Sequence, residues 1–183
     1  MAVFYAFHYR EDHRRVQQIM DISGVEGQPL LSTQDWESIK SRGDAAVEDW
    51  INEEMKDKTA VIVLSGLYTA SRPWVQYEIR HAWDISKPLL SIDISGLEDD
   101  NGQTDPIGPD PFTFLDNYET VCIPRYIPSG PSADFYNEIK DNLAQWASQG
   151  YVQRLFLGNQ EQLRRPSDYL EATEGKDGQV HTD

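Results

Sequence analysis

Short apolar runs alternate along the chain with stretches whose apolar residues recur every three or four positions. That alternation predicts βαβ units and a parallel sheet. Residues 2–7, Ala-Val-Phe-Tyr-Ala-Phe, read as a first strand, followed near 12–22 by an amphipathic helix with Val16, Ile19 and Met20 on one face. Residues 29–32 predict a short second strand. Asp44 can cap a helix reaching residue 55, on which Val47, Trp50 and Ile51 share a side. Thr59-Ala-Val-Ile-Val-Leu-Ser65 is uninterrupted and β-branched, the pattern of a central strand covered on both faces. A helix over 71–86 tolerates Pro73 in its first turn. Strands at 89–94 and 118–123 and a helix at 133–147 complete five βα units. Between those two strands, residues 95–111 are crowded with Gly, Asp, Asn and Pro and predict a long loop.

The expected organisation is one domain over 1–150, a C-terminal extension over 151–170 whose apolar residues pack on it, and a polar, disordered tail over 171–183. Hydrophobic residues make up 39% of the 183, enough to close a core. The formal charge of −15 argues against nucleic acid or an anionic membrane as the main partner, since both reward clustered Lys and Arg. No run approaches a membrane span, and the N-terminus lacks a basic, cleavable leader, so a cytoplasmic location is expected. Cys122 is the single cysteine and sits in the apolar run Val121-Cys-Ile, which reads as a buried, inert thiol. The histidines have no zinc spacing, and the acidic loop lacks the EF-hand pattern, so no metal is expected.

Open, doubly wound sheets bind ligands beyond the carboxyl ends of their strands, where the strand order reverses. For the order 2-1-3-4-5 that place lies between the first and third strands. The segments meeting there are Phe7-His8-Tyr9-Arg10-Glu11-Asp12 and the stretch from Ser65 and Gly66 to Arg72. At about 100° per residue, Val75, Ile79, Ala82 and Trp83 define the buried stripe of the next helix, and Glu78 falls roughly 40° outside it. Two readings stay open for Glu78: a boundary glutamate paired with Arg72 or Arg80, or a partly desolvated carboxylate beside the ligand crevice. His8 and His81 read, on pattern, as structural or surface histidines. No GxGxxG, Walker A, GxSxG or HExxH motif is present, and neither receiver nor flavodoxin chemistry fits the loops.

Three segments in consistent order resemble the TIR-like proteins of the Thoeris antiphage system. They are Val3-Phe-Tyr-Ala-Phe-His-Tyr-Arg-Glu-Asp12, the stretch from Thr59 through Ser71-Arg-Pro-Trp-Val-Gln-Tyr-Glu78-Ile79, and Asp99-Asp-Asn-Gly-Gln-Thr-Asp-Pro-Ile-Gly-Pro-Asp-Pro-Phe112. The resemblance covers residues 2–125 and implies a TIR-like, flavodoxin-like, doubly wound parallel five-stranded sheet with helices on both faces. More distantly, Trp74-to-Glu78 resembles the Trp-x-x-x-Glu segment of NAD-consuming TIR domains. That likeness implies Glu78 as catalytic carboxylate and Trp74 as a pocket wall. It also implies Phe7, His8, Tyr9 and Arg10 as nucleotide-pocket residues, and Asp35 and Trp36 on a gating loop after the second strand. Arg10 or Arg72 would meet the diphosphate. NAD is then a substrate, with no separate cofactor.

The implied reaction cleaves the nicotinamide–ribose bond and yields a cyclic ADP-ribose isomer, read by a separate effector protein after a phage-derived trigger. A homo-oligomer is possible on the same resemblance. Cleavage passes through an oxocarbenium-like transition state, and because nicotinamide leaves as a neutral pyridine, one carboxylate suffices where a glycosidase uses two. A plain NAD hydrolase releasing ADP-ribose and a non-catalytic TIR-like scaffold stay open as alternatives at this stage.

Overall fold

The computed structural model describes residues 1–116 and 118–152. Strand β1 (Val3–Phe7) leads into helix α1 (Tyr9–Met20). Helices α2 (Thr33–Lys40) and α3 (Asp44–Lys56) precede β2 (Ala60–Ser65) and α4 (Pro73–Asp84). Strand β3 (Leu89–Asp93), the two-residue β4 (Arg125–Tyr126) and α5 (Ser132–Ala147) complete the order. The four strands are parallel and lie in the order β1-β2-β3-β4, with Tyr5 opposite Ile62, Ile62 opposite Leu90, and Ile92 opposite Tyr126.

Because successive strand side chains point to opposite faces, each strand feeds two cores. Val3, Tyr5, Ile62, Leu64, Leu90 and Ile92 meet Val16 and Ile19 of α1 and Phe135, Ile139 and Leu143 of α5. Phe4, Ala6, Val61 and Val63 meet Val47, Ile51 and Met55 of α3 and Val75, Ile79, Ala82 and Trp83 of α4. Every residue of β2 is buried, as its unbroken apolar run requires. The sheet is doubly wound, as expected, with helices on both faces.

The sheet has four strands, where five were expected. Residues 29–32 form no strand. Pro29 has no N–H to donate to a ladder, and the place beside β1 is already taken. Glu26 makes a single parallel bridge to Ala2, and the buried Gln28 side chain does the rest. Its Oε1 accepts from the Tyr5 N–H at 2.8 Å and its Nε2 donates to the Tyr5 carbonyl at 2.7 Å. One side-chain amide thus satisfies the edge of β1 as a neighbouring peptide would. The expected strand at 118–123 is also absent. Residues Tyr118–Thr120 make a 3₁₀ turn, and the Tyr118 hydroxyl is drawn to the Asp110 carboxylate at 2.6 Å. Pairing starts only beyond Pro124, whose carbonyl accepts from Ser91 N–H at 2.9 Å. Outside a strand, Val121 and Ile123 turn inward and Cys122 outward, so the thiol expected to be buried is exposed.

Residues 33–39, expected to carry a gating loop, are helical within α2. The Ser32 hydroxyl accepts from the Asp35 N–H at 3.1 Å, the Ser-x-x-Asp arrangement of a helix N-terminus. The segment 95–111 has no regular structure, as predicted, but buried Arg15 of α1 ties it down. Arg15 bonds the Leu97 carbonyl at 2.9 Å and the Gln103 carbonyl at 3.3 Å, and pairs with Asp105 at 2.7 Å. Of the expected C-terminal extension over 151–170, Tyr151 stacks on Trp83 at 5.9 Å and bridges Leu89. The remainder from 153 and the expected tail over 171–183 lie outside the described residues. No described helix is long and apolar enough to cross a membrane.

Candidate active site

Strands β1 and β2 are neighbours, but the chain leaves β1 into α1 on one face of the sheet and leaves β2 toward α4 on the other. The connections beyond their paired carboxyl ends therefore diverge, which is where a crevice opens in this architecture. A cleft of about 830 Å³ occupies that place. Phe7, His8, Tyr9, Arg10, Trp36, Arg72, Trp74 and Glu78, eight of the residues expected at the site, all line it.

One wall is aromatic. Tyr9 stacks on Trp36 with ring centres 5.9 Å apart and planes 27° from parallel, and Phe7 lies 5.9 Å from Tyr9. Trp50 of α3 meets Trp36 edge-on at 5.9 Å. The Tyr9 hydroxyl donates to the Leu31 carbonyl, which fixes the ring relative to the chain entering α2. Lys40 places its ammonium 5.9 Å from the Trp36 ring centre. Together these rings offer flat, apolar area with few rotatable bonds, the usual equipment for holding a planar heterocycle.

Glu78 lines the same cleft from the second turn of α4. Pro73 occupies the first helical position, where its missing N–H costs nothing and its fixed φ starts the helix. From there Val75, Glu78, Ile79, Ala82 and Trp83 are all buried, so Glu78 belongs to the inward stripe and not to its edge. It is 7% exposed, and its Oε2 is buried without a hydrogen-bond partner. Burial alone pushes its carboxyl well above the ordinary carboxylate range. The expected ion pairs do not form among the described residues. Arg80 pairs with Asp116 at 3.1 Å and bonds the Phe114 carbonyl, while Arg72 sets its guanidinium 6.0 Å from the Tyr68 ring centre. A buried carboxyl with an open oxygen costs stability unless something else completes it.

His8 and Arg72 form a second polar group in the cleft. His8 Nδ1 and Arg72 Nε are both buried without partners. Burial, then the Arg72 charge, hold the His8 imidazole below its ordinary value. Two nitrogen groups so placed suit an anion, which would bond Arg72 and could be met by a protonated His8. Arg10 lines the same cleft but is exposed.

The other three expected residues lie elsewhere. Asp35 is exposed on α2 and spends its carboxylate on the Ser32 hydroxyl at 2.6 Å. Ser65 is fully buried at the end of β2. Gly66 is a packing residue: a Cβ there would stand 2.4 Å from the Asp12 carboxylate. Sequence reasoning did not find Trp50 as a cleft residue, having read it only as part of a buried helix face. It also missed a buried hydrogen-bonded group that ties α1 to the chain leaving β2. Asp12 accepts from Arg15 at 3.1 Å and from the Thr69 hydroxyl at 3.2 Å, and Thr69 Oγ1 accepts from the Gly66 N–H at 2.9 Å. The legible signal was a charged pair, Asp12 and Arg15, sharing one face with Val16 and Ile19. Among the described residues no group of His, Cys, Asp and Glu could hold a metal ion.

Residues 4–99 match the sequence family described as Thoeris protein ThsB, TIR-like domain. No curated protein matches the chain.

Proposed function

Because the chain belongs to the TIR-like family of the Thoeris protein ThsB, a family of antiphage defence that works with a partner effector, we propose that it consumes NAD at the cleft between β1 and α4. In this reading Glu78 is the catalytic carboxylate. The single observation that carries it is the Glu78 carboxyl, 7% exposed in a cleft wall with an oxygen that no described residue satisfies.

The mechanism follows from charge. Breaking the nicotinamide–ribose bond moves the positive charge of the pyridinium onto the ribose carbon and its ring oxygen. A carboxylate held in a dry site stabilises that charge more strongly than one in water. Glu78 bonds the ribose hydroxyls and faces the developing oxocarbenium. Nicotinamide leaves as a neutral base, so no general acid is needed, which suits a cleft holding one such carboxyl. Tyr9, Trp36 and Phe7 give stacking area, Trp74 closes the wall beside Glu78, and His8 and Arg72 meet the diphosphate. The ribose cation is then captured by a nucleophile of the same nucleotide, giving a cyclic ADP-ribose isomer that a separate effector reads.

The test is to incubate the protein and Glu78→Gln with NAD, with and without lysate from phage-infected cells, and to identify the products by mass spectrometry. Release of nicotinamide with a cyclic adenine product, lost in Glu78→Gln, is the expected result. ADP-ribose alone would replace cyclisation by hydrolysis at the same site. No nicotinamide from the activated wild type would end the enzymatic reading.

A further inference from the structure

The Glu78 carboxyl is buried on α4 with Oε2 unpartnered, yet it borders an open cleft. In the second turn of α4, it is beyond the free N–H groups of the helix N-terminus, which could have served an anion. The other charged or titratable groups lining the cleft are Tyr5 on β1, His8, Tyr9, Arg10, Glu11 and His13 at the start of α1, and Glu37 and Lys40 on α2. Arg72 precedes α4, and Asp100 comes from the long loop. None of the cations among them makes an ion pair with Glu78. Arg72 acts on His8 instead, and Lys40 pairs with Glu37 at 2.7 Å. The cleft therefore has a place for positive charge that the described residues leave unfilled.

Resting on the NAD-consuming reading above, we propose that Glu78 is a neutral acid in the empty cleft and ionises only against the cationic pyridinium nucleotide, so that the site selects oxidised over reduced dinucleotide by charge. The proton balance is simple: Glu78–COOH and the cationic ligand give the carboxylate–cation complex and one proton released to buffer. The dihydropyridine ring of NADH has the same size and nearly the same shape but carries no positive charge. Binding it leaves Glu78 protonated or strands a bare carboxylate, and either outcome forfeits the electrostatic gain. Burial as the sole cause of the raised Glu78 pKa agrees with this, because a ligand cation removes the penalty that burial imposes. Binding the correct substrate then arms the carboxylate, and the empty site carries no exposed reactive charge.

Isothermal titration of the intact protein with carbocyclic NAD, which keeps the pyridinium but resists cleavage, tests the idea in phosphate and in Tris at pH 7. The same titrations use NADH as the neutral ligand. His8 can take up a proton beside a diphosphate, so the proton count is made in His8→Gln as well as in the wild type. The expected result is release of a substantial fraction of one proton with carbocyclic NAD, none with NADH, and a preference for the cation of about tenfold or more, one unit of pKa being a factor of ten. Glu78→Gln, close to isosteric, should bind both ligands without proton release and without that preference. Equal binding of the two ligands with no proton release in either protein would overturn the charge selection while leaving NAD consumption standing. Failure of both ligands to bind, together with no release of nicotinamide from NAD, would overturn the functional reading and this inference with it.

Discussion

Two of the buried carboxyl groups near the carboxyl ends of the strands, Asp12 and Glu78, are treated in opposite ways. Asp12 on α1 is 2% exposed and fully engaged, with Arg15 and the Thr69 hydroxyl both donating to it. Glu78 on α4 is 7% exposed, and one of its oxygens has no donor. Burial raises the pKa of both, but at Asp12 the hydrogen bonds and charge of Arg15 work against it, and at Glu78 nothing does. A carboxyl with its own cation belongs to the architecture. One without, placed where a ligand can reach it, is a cost that a binding partner can relieve.

If that distinction holds, substituting Glu78 should remove activity and leave the fold. Glu78→Gln is expected to lower nicotinamide release by about 10²–10³-fold, the range found when one group stabilising transition-state charge is lost. Thermal melting read alongside separates the two carboxyls further. A carboxyl whose folded-state pKa is raised binds more protons folded than unfolded, so its contribution is intact below its ordinary value of 4.5 and is lost as pH rises toward the folded value. The glutamine variant should therefore melt with the wild type at pH 4.5 and above it at pH 8. A wild type that is the more stable protein at pH 8 would show that Glu78 has a cationic partner after all.

Arg15 makes the complementary case. Replacing it with Met keeps much of the apolar volume but strands Asp12, and removing one member of a buried ion pair costs about 3–5 kcal/mol. Because Arg15 also holds the Leu97 and Gln103 carbonyls, the loss should appear in urea melts and as faster amide exchange over residues 95–105. Loss of catalysis in Arg15→Met at full stability would put Asp12 on the functional side of the comparison.

This contrast was only partly legible in the sequence. The parallel sheet and its two covers followed from runs such as Ala60–Ser65 and from the helical spacing of Val75, Ile79, Ala82 and Trp83, because burial of apolar area dominates those choices. Phe7, His8, Tyr9, Arg10 and Arg72 were reachable because the position of a crevice follows from strand order, whereas Trp36, Trp74 and the role of Glu78 came from the likeness to TIR domains. The failures have a common cause in side-chain hydrogen bonds. Gln28 stands in for a strand, Tyr118 reaches back to Asp110, and Asp35 closes on Ser32, and no periodicity records any of these. Glu78 was placed at the edge of its stripe because an ideal helical wheel ignores how closely α4 lies on the sheet.

The aromatic wall gives a smaller effect that separates binding from chemistry. Trp36→Ala removes the ring against which Tyr9 stacks and the edge contact with Trp50. Loss of one stacking platform is expected to raise KM for NAD by roughly tenfold, about 1–1.5 kcal/mol, while kcat changes by less than about threefold. A kcat that falls with unchanged KM would instead assign Trp36 to water exclusion around the reacting carbon.

The smallest effect belongs to a third carboxylate, Asp35, which the TIR likeness marked for the site and the fold assigns to the start of α2. Its oxygen accepts from the Ser32 hydroxyl at 2.6 Å while its own N–H donates back to that hydroxyl at 3.1 Å. Asp35→Ala keeps the N–H contact and loses the carboxylate, together with its favourable charge in the first helical turn. A loss of about 0.5–1 kcal/mol is expected, seen as a small drop in urea midpoint, with KM and kcat for NAD within about twofold of the wild type. Ser32→Ala should cost a similar amount, and the double variant should cost less than the sum, since the two side chains share one hydrogen bond. A tenfold change in KM for Asp35→Ala would move this residue into the cleft and make α2 part of the binding surface in solution, so the kinetic measurement distinguishes a cap from a contact.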